Sequence, residues 1–68
     1  MSNETIVRDR FQRIIGYIET TPSERIARDK HRTILGFYSP RDDYTRDKHK
    51  MLYGAGDHLM SLITNAAG

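Results

Sequence analysis

Three histidines are the first candidates for chemistry in this chain: His31 and His49 stand at equivalent points of a repeated motif, and His58 follows nearby. Each has an aspartate within two residues, Asp29, Asp47 and Asp57. Neutral imidazole is a common metal ligand, so a metal site is the first idea to weigh. The equivalent position of the first copy is Phe11, however, which reads as an aromatic turn residue packing over a hairpin. No metal or other cofactor is therefore expected.

Arg8-Asp9, Arg28-Asp29 and Arg46-Asp47 would be the next candidates, as acid and electrophile pairs. Neighbouring residues of a strand point to opposite faces, so such a dipeptide does not converge on one substrate. Catalysis generally needs one asymmetric constellation, whereas threefold repetition serves folding. With no Ser-His-Asp grouping, phosphate loop or His-Glu-x-x-His motif, an enzyme is not expected. A binding surface fits the residues better. Arg8, Arg28 and Arg46, with Arg10, Lys30 and Lys48 beside them and Tyr17, Phe37 and Tyr44 on the strands, form a basic and aromatic set for an anion or nucleic acid. Aromatics on a sheet stack unpaired bases while basic side chains follow phosphates. The plainer reading is that the rings fill a thin core and the cations keep hairpin tips soluble.

The elements that hold these residues come from an internal repeat. Arg8 to Gly16, Arg28 to Gly36 and Arg46 to Gly54 align as Arg-Asp-basic-aromatic-polar-x-apolar-apolar-Gly, with starts 20 and then 18 residues apart. Six of the nine positions keep identity or class in every copy. Looking for such periods first matters because they decide the fold. Each copy reads as a β-hairpin. Thr5–Val7, Arg25–Ala27 and Asp43–Thr45 precede the turn, and Ile14–Ile18, Ile34–Tyr38 and Met51–Tyr53 follow it, rich in β-branched, aromatic and aliphatic residues. Asp9, Asp29 and Asp47 open the turns by accepting backbone amides. Gln12, Arg32 and Lys50 stand where such loops end in a residue of positive φ, a place glycine occupies more easily.

Thr21-Pro22-Ser23-Glu24 and Ser39 to Asp43 are the connections between hairpins. Six short strands joined this way form an antiparallel meander. A glycine recurring at Gly16, Gly36 and Gly54 permits a bend, a bulge or a close backbone approach, so the sheet is expected to curve. The period then changes. Asp57 caps a helix from His58, with Leu59, Leu62, Ile63 and Ala66 in one apolar stripe and Met60 widening it. The expected fold class is mainly β: three tandem β-hairpin repeats (about 5–24, 25–43 and 44–56) in a curved antiparallel meander, plus a short C-terminal amphipathic helix (about 57–66), all one domain.

At 68 residues and without cysteine, the chain has a thin core and no disulfide or thiolate metal site to reinforce it. Such domains often gain stability by self-association. A homo-oligomer is therefore expected; the helix docks on its own sheet or on another subunit, with Leu59, Met60, Leu62 and Ile63 as the candidate oligomer interface. Eleven Lys and Arg against nine Asp and Glu leave only +2, which permits an anionic partner without requiring one. Absence of cysteine and of any long apolar run points to a cytoplasmic protein that makes no membrane contact.

At Gly16-Tyr17 and Gly36-Phe37, each preceded by an apolar pair and a charged turn, the chain resembles small bacterial β-hairpin-repeat proteins of the four-fold β-flower kind. The resemblance covers about residues 5–56 and departs from the pattern in lacking the turn glycine. It implies a fold and carries no catalytic residue. The expected function is non-catalytic binding or structural assembly as a homo-oligomer. The alternatives are a single-stranded nucleic-acid module on the basic and aromatic face, and a ligand or metal site between subunits.

Overall fold

The chain is described over residues 3–67 by a computed structural model. Its six strands are β1 (Asn3–Arg8), β2 (Ile14–Thr20), β3 (Arg25–Asp29), β4 (Ile34–Ser39), β5 (Tyr44–Asp47) and β6 (Leu52–Ala55), followed by helix α1 (Leu59–Ala67). They form one sheet in chain order, every neighbouring pair antiparallel. The mainly β meander with a C-terminal helix is therefore the observed fold.

The three hairpin turns are built alike. Asp9 Oδ1 accepts the amides of Phe11 and Arg13 at 2.8 and 3.0 Å, Asp29 those of His31 and Thr33 at 2.8 and 2.9 Å, and Asp47 those of His49 and Met51 at 2.8 and 3.0 Å. Gln12, Arg32 and Lys50 take φ of 66°, 66° and 65°. Non-glycine residues pay about 1–2 kcal/mol in this left-handed region, and the aspartate bonds offset that cost. Gln12→Gly should consequently stabilise the protein by about 0.5–1 kcal/mol, read as a higher urea midpoint. A lower midpoint would show that the glutamine side chain contributes more than its backbone costs.

A bulge follows each turn at the same place. Val7 pairs with Gly16 but Arg8 with Ile14, and the pairs Ala27–Gly36 with Arg28–Ile34, and Thr45–Gly54 with Arg46–Leu52, repeat the shift. The extra residues are Ile15, Leu35 and Tyr53, the second member of each apolar pair. The shift leaves the first residue of each pair, Ile14, Ile34 or Leu52, on the face away from the helix. With it, Ile15 and Leu35 pack on the helix side. Bulges also add twist, the physical basis for the expected curvature.

Helix α1 lies across the sheet over β2, β3 and β4. Leu59 and Ile63, both 0% exposed, join Val7, Ile18 and Ala27 as the core, with Leu62 packed at its edge. Of the two partners expected for the helix, the sheet of the same chain takes Leu59, Leu62 and Ile63, and Gly16 and Gly36 let the helix settle onto the backbone. Met60 is 52% exposed and widens nothing, and Ala66 is exposed as well.

Two boundaries also differ from expectation. Strand β5 starts at Tyr44 because Asp43 has φ 59° and donates its amide to Ser39 O, which makes it a turn residue. The helix starts at Leu59 because the His58 amide donates to Thr45 Oγ1 at 2.9 Å. Thr45 is fully buried, and its hydroxyl donates to Gly56 O in turn. Asp57 Oδ1 then accepts the Leu59 amide at 3.1 Å, as a cap should.

The open sheet face and the hairpin tips as candidate binding surfaces

With one face under the helix, the other carries the residues that alternate with the core. Register places Glu4, Glu19, Ile26, Phe37, Arg46 and Leu52 in one row across the strands, and Ile6, Tyr17, Arg28 and Ile34 in the next. Tyr44 lies opposite Ser39 on the same face. Arg8, paired with Ile14, completes the row nearest the first turn. The structure thus collects Arg8, Arg28, Arg46, Tyr17, Phe37 and Tyr44 of the expected set on one surface. Arg10, Lys30 and Lys48 stand apart from it, in the turns at the end of the sheet.

The face is half apolar and half ion-paired. Ile6, Ile14, Tyr44 and Leu52 are exposed, Leu52 to 65%. Around them Arg28 bonds Glu19 at 3.0 Å, Arg46 bonds Asp42 at 3.0 Å, and Arg32 pairs with Glu4, whose carboxylate raises the guanidinium pKa further. Glu4, Glu19, Arg28 and Arg32 border a shallow hollow of about 370 Å³. Solvent-screened pairs of this kind contribute little to stability, so they shape the surface more than they stabilise it.

The rings are not bare platforms. Arg32 Cζ lies 4.1 Å from the Tyr17 centroid and Lys50 Nζ 4.0 Å from that of Phe37. Both cations come from the left-handed turn position, whose backbone returns the side chain over the strand. Their part in the surface was not read from the sequence, where they figured only as poor substitutes for glycine; the signal available was a cation recurring at that position in the second and third repeats.

At the tips, the aspartate carboxylates turn inward to the loop amides. The Arg13 backbone amide, followed by that of Phe11 and then the Arg13 side chain, holds the Asp9 pKa below the usual carboxylate range. What projects outward is cationic and aromatic: Arg10 and Arg13 about Phe11, at 5.0 and 5.2 Å from its centroid, then Lys30 with His31 and Lys48 with His49. Between the first two tips and the end of α1 is a groove of about 770 Å³, bordered by Arg10, Arg13, Lys30, His31 and Thr64 among others.

The histidines are dispersed: His31 and His49 occupy separate tips, while the His58 ring bonds Ala55 O at 2.6 Å and tilts against Tyr53. Among the described residues no three His, Cys, Asp or Glu are grouped to hold a metal ion. Nor is any helix among them long and apolar enough to cross a membrane. Comparison with protein-family models, with curated proteins and with solved structures gives no match.

Proposed function

We propose that the protein is a non-catalytic assembly module that pairs with a second copy of itself through the open face of its sheet. The observation that carries this reading is the division of apolar side chains: among the described residues only Val7, Ile18, Ala27, Leu59 and Ile63 are buried in the core, while Ile6, Ile14, Tyr44 and Leu52 remain exposed on the far face. Two such faces packed about 10 Å apart would give each chain the second apolar layer that its own length does not supply. A twofold arrangement makes the contact self-complementary, so Arg46 at one end of its row can meet Glu4 and Glu19 at the other end of the partner's row.

Light scattering coupled to size exclusion should return about twice the 7.9 kDa chain mass. Ile6→Gln with Leu52→Gln should halve the mass and leave the circular dichroism unchanged, because both side chains are 47% or more exposed and lie outside the core. A wild-type chain that stays monomeric across the concentration range would overturn the proposal.

A further inference from the structure

The small net charge conceals a separation of charge along the strands. Because the meander sends all three repeat turns to one end of the sheet, residues 8–13, 28–33 and 46–51 collect there, with nine Lys or Arg against three Asp, a net +6. The rest of the chain carries two Arg against six Asp or Glu, a net −4. Each of the three aspartates of the basic end commits its Oδ1 to loop amides, and Asp9 Oδ2 accepts from Arg13 Nε. Arg10, Lys30 and Lys48 make no ion pair among the described residues.

One internal use for these cations is to balance the C-terminus of α1, which reaches the same end and has no basic residue in its last turn. A helix end amounts to about half a negative charge, less than the net +3 that is left at this end once Arg28, Arg32 and Arg46 are paired with Glu19, Glu4 and Asp42. The remainder faces solvent on three tips. Neighbouring strands are about 4.8 Å apart, so equivalent tips recur about every 10 Å along the sheet edge. That is a row of cations suited to a chain of phosphates.

We propose that this end binds the phosphodiester backbone of single-stranded nucleic acid, without reading its bases. Arg10, Lys30 and Lys48 contact phosphates in succession, and the groove between the first two tips admits the strand. Base stacking on the sheet is no part of it, since Tyr17 and Phe37 already hold Arg32 and Lys50. The site lies at the sheet end and is separate from the open face.

The test is fluorescence anisotropy of a labelled oligothymidylate of about 20 nucleotides, titrated with the full chain from about 50 to 200 mM salt. Three phosphate contacts predict a slope of log affinity on log salt of about −2, at about −0.7 per contact on single strands. Arg10→Glu with Lys30→Glu and Lys48→Glu should weaken binding at least about tenfold at low salt. All three side chains are exposed, and circular dichroism checks that the variant is folded. Oligoadenylate should bind within a few fold of oligothymidylate, and the Ile6→Gln, Leu52→Gln variant should still bind. No binding at low salt, a slope near zero, or equal affinity for the charge-reversed chain would overturn the proposal. So would a low-salt rise in mass without oligonucleotide that the charge reversal abolishes, because the basic end would then be taking the acidic end of another copy.

Discussion

Gly36→Ala should destabilise the protein by about 2–3 kcal/mol, a large effect for one methyl group. A Cβ on Gly36 would lie 2.5 Å from Leu62 Cδ1 and 2.6 Å from Arg46 O. The leucine tip can swing aside. The carbonyl cannot, since it belongs to strand β5, paired with β4, and the pair would have to part or the helix rise. In a domain of this size each kcal/mol lowers Tm by about 4–8 °C, so a fall of at least about 8 °C is expected in a thermal melt. Gly36→Ala combined with Leu62→Ala should recover only part of the loss, because the backbone contact remains. A variant as stable as the parent would show that the helix does not seat on Gly36.

Ile63→Ala is the second large effect, expected to cost about 2–5 kcal/mol by the loss of buried methylenes and the cavity left behind. Ile63 is fully buried, and its side chain would be 2.7 Å from a Cβ at Gly16, so it fills the hollow that this glycine leaves. With so few buried apolar side chains the sheet has little else to hold α1, and a helix of nine residues is marginal in water by itself. Urea denaturation reads the total, and amide exchange in α1 should become fast before exchange in β2 or β3. Met60→Ala, on the outer side of the same helix, should stay within about 0.5 kcal/mol. A loss at Ile63 that grew with protein concentration would place the stripe between subunits instead, contrary to its burial on this chain's sheet.

Much of this architecture could be read from local chemistry. The Arg-Asp turns were legible because aspartate bonding to amides two and four residues on is a local event, and Gln12, Arg32 and Lys50 adopt the positive φ that their loop position requires. The apolar stripe of α1 followed from spacing alone. Asp43 was less legible: its left-handed conformation depends on the four-residue link between β4 and β5, and nothing in its type distinguishes it from Asp42. The binding set was partly legible too. Tyr17, Phe37, Arg28 and Arg46 share a face because each occupies the same parity in its strand.

The sequence by itself determined the three hairpins, their turns, the order of the strands and the amphipathic helix, since all of these arise from interactions within about twenty residues of chain. Only the tertiary structure decided what covers the helix stripe, because hydrophobic burial has no direction along the sequence and either a neighbouring subunit or the chain's own sheet could satisfy it; the glycine row of that sheet allows the closer approach. It also decided where charge accumulates. Composition reports +2, while the meander brings the repeat turns to one end and leaves six of the nine acidic residues elsewhere, a separation that depends on chain direction through all six strands.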